Sequence, residues 1–161
     1  MREDVLRVER TIPAPPGAVF DVLADPAKHH LIDGSGMVQG ALATPGAGAA
    51  PSAAGRLAIG GSFGMKMKLF VRYATANRVT AFEEDRVIAW QTGPTGFMGK
   101  LVGGRIWRYE LEPVEGGTKV TETWDISKEA LRFVLRYVAV GGTKKAMEKS
   151  LETLEGLVKG D

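Results

Sequence analysis

WRYELEP, residues 107–113, and GTKVTETW, residues 117–124, decide the fold. Each alternates at a period of two, the spacing of a strand whose two faces meet different surroundings. Trp107, Tyr109 and Leu111 share one face of the first segment, and Arg108, Glu110 and Glu112 share the other. On the second, Val120, Glu122 and Trp124 alternate with Lys119, Thr121 and Thr123. Glu115-Gly116-Gly117 supplies the turn. Folding there sets Leu111 opposite Val120, Tyr109 opposite Glu122 and Trp107 opposite Trp124. The hairpin so built is polar outside and aromatic inside, with one carboxylate in the middle of its inner face.

Upstream of the hairpin the pattern stays strand-like over 56–60, 65–73, 77–82 and 87–92, and the hairpin's own strands run over 105–112 and 119–125. Gly60-Gly61, Glu84-Asp85, Gly93-Pro94 and Gly103-Gly104 are turn chemistry between them. Short successive strands with tight turns imply an antiparallel meander. Nearer the N-terminus, 5–12 alternates with Leu6, Val8 and Ile12 on one face, and Pro13, Pro15 and Pro16 stop it because proline donates nothing to a sheet ladder. A short helix from about 16 to 24 follows, with Val19, Phe20 and Leu23 on one side. Asp25-Pro26 ends it and caps a second short helix through His30 or Leu31. Residues 36–42 read as another strand.

The run from Ala43 to Ala54 consists almost wholly of Ala, Gly and Pro. It has too little side chain to pack, so it reads as a mobile hairpin tip within a single domain spanning 1–161. Downstream of the aromatic hairpin, Ser127 is the expected N-cap of a helix with Glu129 and Ala130 in its first turn. Leu131, Val134, Leu135 and Val138 keep helical spacing, Gly141-Gly142 interrupts it, and Met147, Leu151, Leu154 and Val158 resume it. A long, kinked or two-piece C-terminal helix is the expectation.

Bulk properties narrow the function. With 161 residues, 44% hydrophobic and 25% charged, the chain can build one ordinary globular core. The absence of cysteine excludes disulfides and thiolate chemistry. The first eight residues are too charged for a signal peptide, and the uncharged stretch from Gly34 to Gly55 is too rich in Gly and Pro to span lipid. The expected location is the cytoplasm, with no stable membrane insertion. The net charge is only +2, and the C-terminal lysines and arginines interleave with Glu129, Glu148, Glu152 and Glu155, so a solvated helix face rather than a nucleic-acid patch is expected.

The order of elements (strand, two short helices, about six strands, one long helix) resembles the START-like, or SRPBCC, superfamily, and within it the bacterial polyketide cyclase/dehydrase branch. The stretches that carry the resemblance are VERTIPAPPGAVFDVLADP (8–26), AGRLAIGGSFGMKM (54–67), FEEDRVIAW (82–90) and the hairpin itself. The resemblance implies an α+β helix-grip fold, in which a curved seven-stranded antiparallel sheet wraps the terminal helix. It also implies a cavity between sheet and helix, which in relatives takes lipids, hormones, aromatic polyketides or antibiotics. Some relatives are cyclases or hydrolases, some carry ligands, and some activate a heat-shock ATPase by binding its surface. No catalytic motif runs through the superfamily, so the resemblance assigns no catalytic residue here.

The chain itself holds no nucleophile elbow, zinc-protease motif, phosphate loop or calcium loop. No cofactor and no metal are expected. His29 and His30 are the only histidines, and their place at the end of a short helix argues for surface or rim positions, with at most one pointing inward. Three roles are open to Glu122: a structural hydrogen bond with Tyr109, a polar spot in a wet ligand cavity, or an acid or base with a raised pKa. Arg105 shares the face of Trp107 and Tyr109 and either supplies a counter-charge at the cavity mouth or reaches solvent. Phe63, Met65, Met67, Trp90, Trp107, Tyr109 and Trp124 would line the cavity or fill an ordinary core. Phe133 and Tyr137, four apart on the terminal helix, would close the mouth or make plain core contacts.

Three functions follow. The first is binding, and with it transport or sequestration, of a hydrophobic small molecule such as a lipid or aromatic polyketide, by a monomer or homodimer. The second is a polyketide aromatase/cyclase or dehydratase using Glu122. The third is a protein-interaction module, which would need an apolar patch on the sheet's outer face.

Overall fold

The aromatic hairpin pairs as its alternation requires, with Leu111 opposite Val120, Tyr109 opposite Glu122 and Trp107 opposite Trp124. In the computed structural model, residues 4–42, 56–68, 72–94 and 104–159 are described. The chain runs β1 (Val5–Ile12), α1 (Pro16–Leu23), a 3₁₀ turn (Pro26–Lys28), α2 (His29–Ile32), β2 (Val38–Leu42), β3 (Ser62–Lys68), β4 (Arg72–Glu83), β5 (Val87–Pro94), β6 (Arg105–Val114), β7 (Gly117–Asp125), α3 (Arg132–Val138) and α4 (Val140–Lys159). The strands form one seven-stranded sheet in the order β1-β7-β6-β5-β4-β3-β2. Every neighbouring pair is antiparallel. This is the helix-grip architecture: α1 and α2 carry the chain from one edge strand to the other, and α4 packs against β1, β7, α1 and α2.

Register aligns inward-facing side chains in rows across the sheet, because directly paired residues share a face. One row runs Leu6, Trp124, Trp107, Trp90, Val79; the next runs Val8, Glu122, Tyr109, Ile88, Phe82. A third joins Arg105, Thr92, Asn77 and Phe63. Irregularities between Val79 and Ala81 and between Val38 and Gly40 bend the sheet, as bulges do. The outer face is polar, with ion pairs Arg108–Glu110 at 2.7 Å and Lys119–Glu112 at 2.8 Å. Met147, Leu151, Leu154 and Val158 of α4 meet the inner rows in one buried cluster.

Four expectations about elements change. Residues 56–60 are not a strand: the Leu57 N–H donates to Ala24 O at 2.7 Å, Gly61 N–H closes a turn on Ala58 O, and the segment bonds to β4 at its end, where Gly60 N–H donates to Val79 O at 3.0 Å. The run 65–73 divides between β3, which ends at Lys68, and β4, which begins at Arg72 and continues unbroken through 74–76. The helix after the hairpin begins at Arg132, not at Ser127, because Ser127 N–H turns back onto the Asp125 carboxylate at 2.8 Å and Glu129 is drawn inward. The two-piece C-terminal helix is present, but it breaks at Ala139, and Gly141-Gly142 lie in the first turn of α4. The run 43–54 and Gly103 lie outside the described residues.

The connection from α2 to β2 lies directly on α4. Gly34 N–H donates to Ser150 Oγ at 2.8 Å, and a Cβ at Gly34 would stand 2.1 Å from Ala146 O and 2.8 Å from Ser150 N. Gly156, in contrast, is helical with open space around it. Gly34→Ala is therefore expected to lower stability by roughly 1–3 kcal/mol through backbone overpacking, and Gly156→Ala to raise it by up to about 1 kcal/mol through helix propensity. Urea unfolding of the two variants checks both signs.

Candidate functional site

At the centre of the inner face, the Tyr109 hydroxyl donates to Glu122 Oε1 at 2.8 Å. Glu122 Oε2 is buried without a hydrogen-bond partner. With only 2% of its surface exposed, Glu122 sits where a charge is poorly solvated. Burial raises its pKa from 4.5 to about 8; the Tyr109 hydrogen bond pulls the other way, and the negative charge of Asp33 adds to the rise. The group is accordingly neutral at pH 7. Since Oε1 accepts from Tyr109, the proton belongs on Oε2, which becomes a buried donor facing no acceptor. Burial, and then the proximity of Glu122, holds the Tyr109 hydroxyl well above 10.

Aromatic rings extend from this pair. Trp90 lies tilted against Tyr109 with centroids 5.7 Å apart, and Phe63 meets Trp90 edge-on at 5.6 Å. His29 stacks on Trp90 at 4.9 Å and takes the edge of Phe63 at 5.5 Å. His29 is buried and His30 is exposed, which corrects the surface placement of the first and keeps that of the second. The Asp25 side chain caps the 3₁₀ turn through Ala27 N–H at 3.0 Å, and the following turn carries His29 under α1, where its Nε2–H donates to Leu23 O at 2.8 Å. Burial pushes the His29 pKa from 6.5 down to about 4, outweighing the Leu23 hydrogen bond and the Asp25 charge, so the ring is neutral. The Asp25-Pro26 cap was the signal for this placement, but nothing in it says which histidine turns inward.

The remaining sequence candidates fall in three places. Met65 and Trp124 are buried, and Met67 and Trp107 are half-buried beside them, with Trp107 and Trp124 centroids 6.5 Å apart. Arg105 does not stand free at a cavity mouth. Its Nε donates to Glu129 Oε1 at 2.8 Å, its backbone N–H donates to the same oxygen at 3.2 Å, and the Glu129 side chain is fully buried. Sequence reading assigned Glu129 to an exposed helical turn; no local pattern links it to Arg105, and only the packed fold does. Phe133 and Tyr137 lie exposed on α3, away from the aromatic wall.

A cleft of about 470 Å³ opens at one end of the inner sheet. Phe63, Asn77, Gln91, Thr92, Gly104 and Lys128 line it. Thr92 Oγ1 donates to Asn77 Oδ1 at 2.6 Å, and Asn77 Nδ2 donates to Phe63 O at 3.3 Å, so its polar wall is internally bonded. Among the residues singled out from sequence, Phe63 borders this cleft. Tyr109, Trp90, Met65 and Trp124 lie deeper, packed in the cluster with Met147, Leu151 and Leu154.

Residues 4–159 match the family described as polyketide cyclase / dehydrase and lipid transport. The chain belongs to that family. Protein Rv0088 of Mycobacterium tuberculosis, described as uncharacterized, is 32% identical over 151 residues, which are 91% of this chain and 59% of that protein. The chain thus spans about three-fifths of the length of the curated relatives it matches. The crystal structure of Ms6760 from Mycobacterium smegmatis superposes with a TM-score of 0.70 at 16% identity, covering 97% of this chain and 91% of that one. DynU16, a protein of the dynemicin biosynthetic locus, superposes with a TM-score of 0.66 at 14% identity over 98% of this chain and 48% of its own. Both share this chain's fold.

Two oppositely shifted groups give this family member a defined pH response. Glu122 is neutral in the fold up to about 8 but ionises near 4.5 when unfolded, so its contribution is complete below about 4.5 and is lost as pH rises toward 8. His29 is neutral in the fold down to about 4 but protonates near 6.5 when unfolded, so its contribution is complete above 6.5 and is lost as pH falls toward 4. Between 4.5 and 6.5 the two slopes oppose each other; above 6.5 only that of Glu122 remains. The urea midpoint is expected to fall between pH 6.5 and 8 in the native chain and to stay level over that range in Glu122→Gln.

Proposed function

We propose that the chain binds a hydrophobic small molecule of the lipid or aromatic polyketide class between its sheet and α4, anchored by a hydrogen bond from the neutral Glu122 carboxyl. The observation that carries this reading is the buried, unpartnered Glu122 Oε2 beside Tyr109 in an aromatic wall. A buried donor without an acceptor is costly, and a carbonyl or hydroxyl of an otherwise apolar ligand would relieve that cost. Membership of the polyketide cyclase/dehydrase and lipid transport family supports the same reading. Phe63 borders the open cleft and touches Trp90 and His29, so a ligand entering there would reach Glu122 by displacing these rings. A cytoplasmic carrier, monomeric or dimeric, fits this reading. Among the described residues no helix is long and apolar enough to cross a membrane.

One observation favours a second reading as an enzyme of the cyclase or dehydratase kind. A carboxyl with its pKa near 8 is protonated at neutral pH yet able to release its proton, as general acid catalysis requires. The interaction-module reading has less support, because the outer sheet positions Arg108, Glu110, Glu112 and Lys119 are charged and paired.

Tryptophan quenching by fluorescent fatty acids and aromatic polyketides tests binding, with saturable quenching expected. Glu122→Leu should weaken a ligand that carries an acceptor by about tenfold, the worth of one buried hydrogen bond, and leave a pure hydrocarbon unaffected. If no apolar class quenches emission or shifts the melting temperature, the binding reading fails. Glu122→Gln separates the two readings: its amide still donates but delivers no proton, so a carrier keeps its affinity and an enzyme loses turnover while retaining binding.

A further inference from the structure

α3 presents an apolar face that neither the sheet nor α4 covers. Leu131, Phe133, Val134, Tyr137 and Val138 are all exposed, Tyr137 by 76% and Val138 by 74%. Leu135 and Ala139, half-buried against the core, hold the helix down from its other side. An isolated exposed leucine needs no explanation, but five large apolar residues within eight positions do.

The charged residues of the segment that carries this face are mainly basic. From residue 128 to 145 the basic side chains are Lys128, Arg132, Arg136, Lys144 and Lys145, and the only acid is Glu129. Glu129 is fully buried and bound to Arg105, so it adds no exposed negative charge. Asp4, which pairs with both Arg132 and Arg136, is the acid packed beside the helix. Those two guanidinium groups also lie over the Phe133 ring, at 4.6 Å and 5.4 Å from its centroid, so cationic planes border the apolar face.

We infer that α3 docks the protein on an anionic lipid surface, lying in the interface without crossing it. An apolar face flanked by arginine and lysine suits the boundary between acyl chains and negatively charged headgroups. Charge complementarity selects this occupant over a second copy of the chain: a two-fold contact through α3 would bring like-charged residues together, which opposes association. Lys128, which lines the open cleft, leads directly into this helix, so docking would bring the cleft near the lipid surface. The inference goes beyond ligand binding at Glu122 and stands on different residues.

Co-sedimentation of the full chain with phosphatidylcholine vesicles, and with vesicles mixed equally from phosphatidylcholine and phosphatidylglycerol, tests it. Binding to the mixed vesicles, weakened by salt and nearly absent with phosphatidylcholine alone, is expected. Lys144→Glu with Lys145→Glu should weaken it by about fivefold or more for each charge reversed. Val134→Ser with Val138→Ser should weaken it further while leaving melting temperature and ligand quenching unchanged. Equal binding to both vesicle types, or none to either, overturns the inference. So does a concentration-dependent dimer without lipid that the valine variant dissolves, because the face then belongs to a second copy. Ligand quenching is read separately in solution, so failure of the lipid test and failure of the binding reading are distinguishable.

Discussion

The hydrogen bond from Tyr109 to Glu122 joins two strands on the buried inner face. The bond by itself would favour an ionised carboxylate, but burial outweighs it, because a charge there would lie in an apolar cluster with a single donor to compensate it. The alternating pattern forces Glu122 inward along with Val120 and Trp124, and a one-residue slip would send all three to solvent. The same register that buries the tryptophan therefore buries the acid. The fold tolerates this because the proton on Glu122 removes the charge that burial would penalise.

A second buried acid is handled differently. Glu129 is enclosed, and its Oε1 accepts from both the Arg105 side chain and the Arg105 backbone. That pairing pulls the segment after β7 inward and delays the start of α3, so an electrostatic contact decides where a helix begins. It also withdraws Arg105 from the ligand-anchoring role its face had offered. His29 completes the set by lying neutral against Trp90, its proton committed to a carbonyl of α1. The inner face thus holds neutral or paired polar groups, while exposed ion pairs on the outer face contribute solubility more than stability.

The apolar residues of the C-terminal segment divide by helix. Those of α4 meet the sheet and complete the core, whereas in α3 Leu135 packs against the core and Phe133, Val134, Tyr137 and Val138 face outward. Helical spacing in both pieces is the same, so periodicity alone gave Val134 and Val138 the same standing as Leu151 and Leu154. Periodicity says that a face is apolar, not what covers it.

The count of seven strands followed from the family resemblance, while strand alternation, turn residues and helical spacing were enough to establish an antiparallel meander, the pairing within the aromatic hairpin, the inward position of Glu122 and the two-piece terminal helix. These are properties of neighbours along the chain, where period and register carry the physical signal. Tertiary structure alone decided that Leu57 would bond to Ala24 at the end of α1 rather than to a strand, that His29 would stack on Trp90, and that Arg105 would find Glu129. It alone decided as well that α3 would leave its apolar face uncovered. Each of these depends on where distant segments meet, and a hydrogen bond or ion pair between residues far apart leaves no periodic trace in the sequence.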